Sequence, residues 1–213
     1  MVVPIAYVFT ILFLALGPLK PIPAFHKLTR QADRRYRIRV AVLATLISAA
    51  VIALVALFGA GTIQSWHVST AALEIAIGIL LLRSTFSTLS SLEEAMKHTG
   101  ERAGSESPNP VSAAALAFSP IAIPTIVTPT GVVTVVLFLS LAQGNDTLQN
   151  QIYVVLVLML ALNLVGMLFA GFIIRFVGLA TLAVVGWVFA TLQAALAVDV
   201  TLTGLKLAGF VPH

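Results

Sequence analysis

The sequence predicts an all-α, polytopic membrane protein with six transmembrane helices arranged as a 3+3 inverted-topology repeat, its first and fourth spans interrupted by proline and glycine. Three observations predict it. Of 213 residues, 59% are apolar and 9% charged, whereas soluble domains run at roughly 45–50% apolar and about 25% charged. Apolar runs near residues 2–20, 40–62, 69–90, 111–142, 151–174 and 177–200 approach or exceed the ~20 residues a helix needs to cross a bilayer. Prolines gather in two of these runs, the first and the fourth, at matching places.

The first run is apolar and amino-terminal, like a secretory leader, but no basic residue precedes it and the positive charge follows it. That reversed order predicts a retained span. It closes on "LGPLKPIPAF", where Gly17, Pro18, Pro21 and Pro23 break the helix. The basic stretch "KLTRQADRRYRIR", Lys27 to Arg39, connects to the second run. The long polar connection, Ser90 to Pro110, mixes both charge signs and ends in loop formers. It divides a single transmembrane domain into a first three-helix repeat (1–90), a linker (91–110) and a second repeat (111–213).

The fourth run contains "FSPIAIPTIVTPTGVVT", with Pro120, Pro124, Pro129 and Gly131. Each interior proline removes a donor and clashes with the preceding turn, at about 3 kcal/mol or more. Three of them rule out a straight span. About nine helical residues before Pro120, roughly 13 Å, place the break near mid-bilayer. Two interrupted segments in matching positions of two halves point to a binding site, because unwound backbone inside a membrane must face protein or a wet cavity. A half-helix starting near Gly131 is expected to offer free N–H groups to a carboxylate. Thr125, Thr128, Thr130 and Thr134 surround it with hydroxyls.

Alternating sides, seven Lys and Arg fall in Lys20–Arg39, three in Arg83–Arg102, and Arg175 joins them, against Lys206 alone on the other side. The positive-inside rule makes the first side cytoplasmic and both termini external. The net charge of +4 is a topology signal and does not mark a nucleic-acid partner. Three spans per half give the halves opposite orientation, although the sequence echo is limited to "LEIAIG" at 73–78 and "LAVVG" at 182–186.

Within the spans, Asn163 is central, and Glu74 and Asp199 lie near the outer ends of their helices. If they converge, the two carboxyls are candidates for coupling a proton or a sodium ion. The four histidines lack metal-ligand spacing, there is no cysteine, and no nucleotide loop or nucleophile motif occurs, so neither an enzyme nor a metal or cofactor is expected.

At the two breaks the sequence resembles the MarC family of inner-membrane proteins, which are related to small amino-acid exporters. "GPLKPIPAF" keeps Pro18, Pro23 and Phe25 of the family's first motif, and "PIAIPTIVTPT" keeps Pro120, Ala122, Pro124 and Pro129 of its second. "ALEIAIGILLL", "GLATLAVVGW" and "AVDVTLTGL" resemble its third and last spans. Gly17, Lys20, Pro21, Glu74, Thr128 and Thr130 depart from the pattern. The resemblance implies a multi-pass inner-membrane transporter of small neutral amino acids such as alanine or glycine. The candidate site residues, read from the two breaks and the central amide, are Gly17, Pro18, Pro23, Pro120, Pro124, Thr125, Thr128, Pro129, Thr130, Gly131 and Asn163. The transporter's partners are a small solute and lipid, with a homo-oligomer open. The competing readings are a non-transporting interaction or regulatory subunit, an exporter of another small solute, and a channel.

Overall fold

The computed structural model describes residues 4–17, 20–97 and 112–210, with no side-chain detail for 60, 64, 91–97, 179 and 180. These residues form helices and no strands: α1 Ile5–Leu16, α2 Pro21–Thr29, α3 Arg34–Ser65, α4 Thr70–Lys97, α5 Ala113–Leu116, α6 Pro129–Leu141, α7 Asp146–Leu168, α8 Ala170–Val177 and α9 Leu179–Leu207. Five stretches are long and apolar enough to cross a membrane, the first running through both α1 and α2. A sixth is the pair Ala113–Ile126 and Pro129–Leu141, bent by 59°.

The helix boundaries follow local chemistry. Gly17 is extended (φ −69°, ψ 165°), as a residue before proline is driven to be, and α1 stops there. Ser112 caps α5 by accepting from Ala115 N at 3.2 Å, and Asn145 caps α7 by accepting from Leu148 N at 3.0 Å. Ala117–Ile126 is loosely wound, because Ser119 (φ −138°, ψ 129°) and Ile123 (φ −124°, ψ 123°) are extended before Pro120 and Pro124. Gly178, at φ +81°, occupies the left-handed corner between α8 and α9 that a side chain would resist.

Several boundary expectations are corrected. The segment after the first break is helical, because Pro21 stands at the first position of α2, where a missing N–H costs nothing. The first span therefore extends to Thr29, and most of the basic stretch Lys27–Arg39 is helix. Seven residues from the start of α5, in place of the expected nine, precede Pro120, and only the first four, Ala113–Leu116, are regular α-helix. Helix α4 runs through residues 91–97 of the expected linker, and the remainder of that linker lies outside the described residues, as does Pro18.

Chain direction alternates from span to span. Pro4, Ser65–Thr70, Leu141–Asp146 and Leu207 lie at one end, and Thr29–Arg34, Ser112 and Gly178 at the other. Helices α4 and α9 form the most extensive pairing, antiparallel along their length. A Cβ on Gly78 would strike the Thr201 hydroxyl and lie 2.7 Å from the Ala197 carbonyl, and one on Gly204 would lie 2.9 Å from the Ala71 carbonyl. These glycines set how closely the helices approach.

Helix α1 packs on α6 and α7, α3 packs on α6, α7 and the wound segment, and α2 packs on α7, α8 and the wound segment. Two apolar cores result, one around Leu12, Ile77, Phe138 and Met159, the other around Phe25, Val40, Ile121 and Met167. Ile123 touches both. The outward faces are apolar too: Leu57 is 75% exposed, Val157 67% and Phe176 82%. So broad an apolar surface suits lipid and not water.

Candidate binding centre where the two breaks meet

The end of α1 and the start of α6 converge. The last carbonyls of α1 have no partners within their own helix. Thr128, on the second break, donates its hydroxyl to the Ala15 carbonyl at 3.1 Å. Asn163, on α7, donates from Nδ2 to the Leu16 carbonyl at 2.7 Å and to the Met159 carbonyl at 2.8 Å. Both side chains are buried, Asn163 at 1% exposure. Residues 147 and 113 positions apart in sequence thus close one helix end.

Thr128 also begins α6. Its Oγ1 accepts the Gly131 N–H at 2.9 Å, and Pro129 occupies the first helical position. The half-helix therefore starts at Pro129, two residues before Gly131. The Gly131 amide is engaged by this cap, and the Leu16 side chain lies where a Gly131 Cβ would stand. In this conformation the junction is packed shut.

The remaining expected residues divide into two sets. Gly17, Thr128, Thr130, Gly131 and Asn163 are buried at or beside the junction, while Pro23, Pro120, Pro124 and Pro129 turn outward. Thr125 donates to the Pro120 carbonyl at 2.7 Å, repairing the wound segment locally. Two polar atoms near the junction have no partner: Asn163 Oδ1 and Thr134 Oγ1, the latter on a fully buried side chain. Buried groups of this kind suit a place where contacts are exchanged.

A model of the MarC family integral membrane proteins matches residues 2–208. The chain belongs to that family. Two archaeal relatives are similar over most of their length. A UPF0056 membrane protein of Methanocaldococcus jannaschii is 28% identical over 202 residues, covering 93% of this chain and 85% of the relative. One of Archaeoglobus fulgidus is 26% identical over 199 residues, covering 92% and 90%. No solved structure matches.

Glu74 and Asp199 of this MarC protein line one cavity of about 320 Å³ with Tyr7, Phe138 and Thr203, at the end that holds Pro4. Glu74 Oε2 is buried there without a partner. A second cavity of about 460 Å³, lined by Phe9, Phe13 and Phe189, shares Asp199. Neither reaches the junction.

Sequence reasoning missed Lys20. Counted with the connecting cations, it stands inside the interrupted first span, half-buried, and donates from Nζ to Ser84 Oγ on α4 at 2.8 Å. Its position between two prolines of an apolar segment was the available signal. Arg83, counted with Lys97 and Arg102 of the later connection, falls within the third span, as its expected bounds of 69–90 already had it.

Proposed function

We propose that this MarC protein is a secondary transporter of small neutral amino acids of the alanine and glycine class, working by alternating access about the two broken helices. The observation that carries the reading is the junction itself. Thr128 and Asn163, both from the second half, close the end of a broken helix of the first. Such bonds can be made in one state and released in another.

The internal pattern supports two oppositely inserted halves. Pro21 opens α2 and Pro129 opens α6, 108 positions later. The same offset carries Gly78 to Gly186 and the buried Thr85 to the buried Gln193. Contacts exchange in the same way: α1 packs on α7 as the wound segment packs on α3, and α6 packs on α3 as α2 packs on α7 and α8. Antiparallel α4 and α9 are what a two-fold axis in the membrane plane produces from equivalent helices. Among described residues, Arg30, Arg34, Arg35, Arg37, Arg39 and Arg175 gather at one end, which the positive-inside rule assigns to the cytoplasm. The cell membrane is then its location, with both termini outside.

Glu74 and Asp199, sharing a cavity, are the groups to which coupling to a proton or sodium ion is assigned. The test is flux of labelled alanine and glycine in proteoliposomes, with Pro129→Ala/Gly131→Leu as the comparison. Saturable flux that the double variant abolishes is expected. Flux equal in both proteins removes the breaks from the pathway, and absence of flux for either solute rejects the reading.

A further inference from the structure

The connection between α7 and α9 carries a short helix with two unlike outward faces. Helix α7 has 23 residues, about 34 Å at 1.5 Å per residue, which exceeds the ~30 Å of a hydrocarbon core. Helix α8, Ala170–Val177, therefore begins where the core ends, at the boundary that also holds the start of α3. Ala170 and Ile174 are buried against the protein. At about 100° per residue, Gly171 and Arg175 share a second face, and Phe172 and Phe176 a third.

The second face gathers positive charge from three elements. The guanidinium of Arg37, in the first turn of α3, lies over the backbone of α8: a Cβ on Gly171 would stand 3.1 Å from its Nη2 and 3.6 Å from its Nη1. Arg175 follows one turn later on that face. Arg30, at the end of α2, and Arg37 both act electrostatically on His26 of α2, so a third guanidinium belongs to the group. None of the three has a side-chain ion pair or hydrogen bond among the described residues. Of the acids whose side chains are described, Asp33 is the one at this end, a turn before Arg37. Glu93 and Glu94 stand on α4, whereas α8 packs on α2, α7 and α9. Like charges gathered in this way oppose one another, and guanidinium forks fit the oxygens of a phosphate or phosphodiester.

The third face decides which anion. Phe172 and Phe176 stack with ring centroids 6.0 Å apart and stand away from the protein, 67% and 82% exposed. An amphiphile meets both faces at once, its phosphate on the arginines and its chains on the rings, as at an interfacial helix. A nucleic acid, an acidic peptide or free phosphate would engage the arginines and leave the rings uncovered.

We propose that α8 and the start of α3 form a binding site for one anionic phospholipid of the adjoining leaflet, its phosphodiester on Arg37 and Arg175 and its acyl chains along Phe172 and Phe176. The site does not depend on the transport reading. Because α3 belongs to the first half of the chain and α8 to the second, the bound lipid ties the halves together at this end.

Native mass spectrometry and lipid titration of the purified, detergent-solubilised protein test this with phosphatidylglycerol, phosphatidylcholine, inorganic phosphate and polyglutamate. Phosphatidylglycerol is expected to bind at one per chain, to raise the thermal midpoint, and to bind at least about tenfold more weakly to Arg37→Gln/Arg175→Gln. Arg34→Gln/Arg35→Gln, an equal loss of charge at the same end, is expected to weaken it less than about threefold. Phe172→Ser/Phe176→Ser is expected to weaken it at least about fivefold. A thermal midpoint without lipid establishes that each variant is folded. Equal affinity in wild type and Arg37→Gln/Arg175→Gln, equal losses from the two arginine pairs, or phosphatidylcholine bound as tightly as phosphatidylglycerol would overturn the proposal. So would phosphate or polyglutamate bound in preference to lipid. A Glu93→Gln/Glu94→Gln protein that binds phosphatidylglycerol about tenfold more tightly than wild type would overturn it too, by showing that carboxylates of the chain hold the guanidiniums.

Discussion

Thr128→Val tests whether the junction holds the halves together. The replacement keeps shape and removes only the hydroxyl, which donates to the Ala15 carbonyl and accepts from the Gly131 amide. Loss of a helix cap costs about 1 kcal/mol. An interhelical hydrogen bond in a membrane averages about 0.6 kcal/mol, with a ceiling near 1.7. Together they amount to about 2 kcal/mol, or about 4–8 °C in thermal midpoint for a chain of this size. The assay is thermal unfolding in detergent, with Thr128→Ser as control, because serine retains donor and acceptor and should stay within about 0.5 kcal/mol of wild type. Asn163→Leu releases the neighbouring Leu16 carbonyl, so the double variant with Thr128→Val should be non-additive by about 0.5 kcal/mol or more. A Thr128→Val protein as stable as wild type, or a serine variant as weak as the valine one, would refute the junction as a structural element.

Three further outcomes follow from the packing. Gly78→Leu must push Thr201 and the Ala197 carbonyl aside and should cost at least about 2 kcal/mol by overpacking, seen as a lower thermal midpoint or loss of monodisperse protein. Gly17→Asp places a Cβ against the Phe13 carbonyl, so it should destabilise by about 1–3 kcal/mol, measured in the same way. Because the native chain has no cysteine, a Gly78→Cys/Thr201→Cys pair can be read cleanly. It should form an intramolecular disulfide on mild oxidation, seen as a redox-dependent gel shift, whereas Gly78→Cys/Gly186→Cys should not if α4 and α9 are antiparallel.

The all-helical fold with about five to six candidate spans was legible because it rests on one-dimensional facts. Apolar length decides which segments cross, and proline decides where a helix cannot run straight. The continuation of the first span was not legible, because the same prolines that end α1 can open α2. Whether a proline breaks or begins a helix depends on whether its missing N–H falls in a first turn, which depends on the backbone on both sides. The misplacement of Lys20 followed directly: with the span thought to end at residue 20, a lysine there counted as a loop charge. Once α2 extends the span, the same residue becomes an ammonium at the depth of the break. The residues of the junction fared likewise. Thr128 and Asn163 could be named from polarity at depth, but their partners, the Ala15 and Leu16 carbonyls, carry no side-chain signature. A backbone carbonyl at a helix end is invisible in sequence until the helix end is located, and locating it required Gly17 to be seen in extended conformation. The boundary of one short helix therefore decided both the closure of the junction and the identity of the cation beside it.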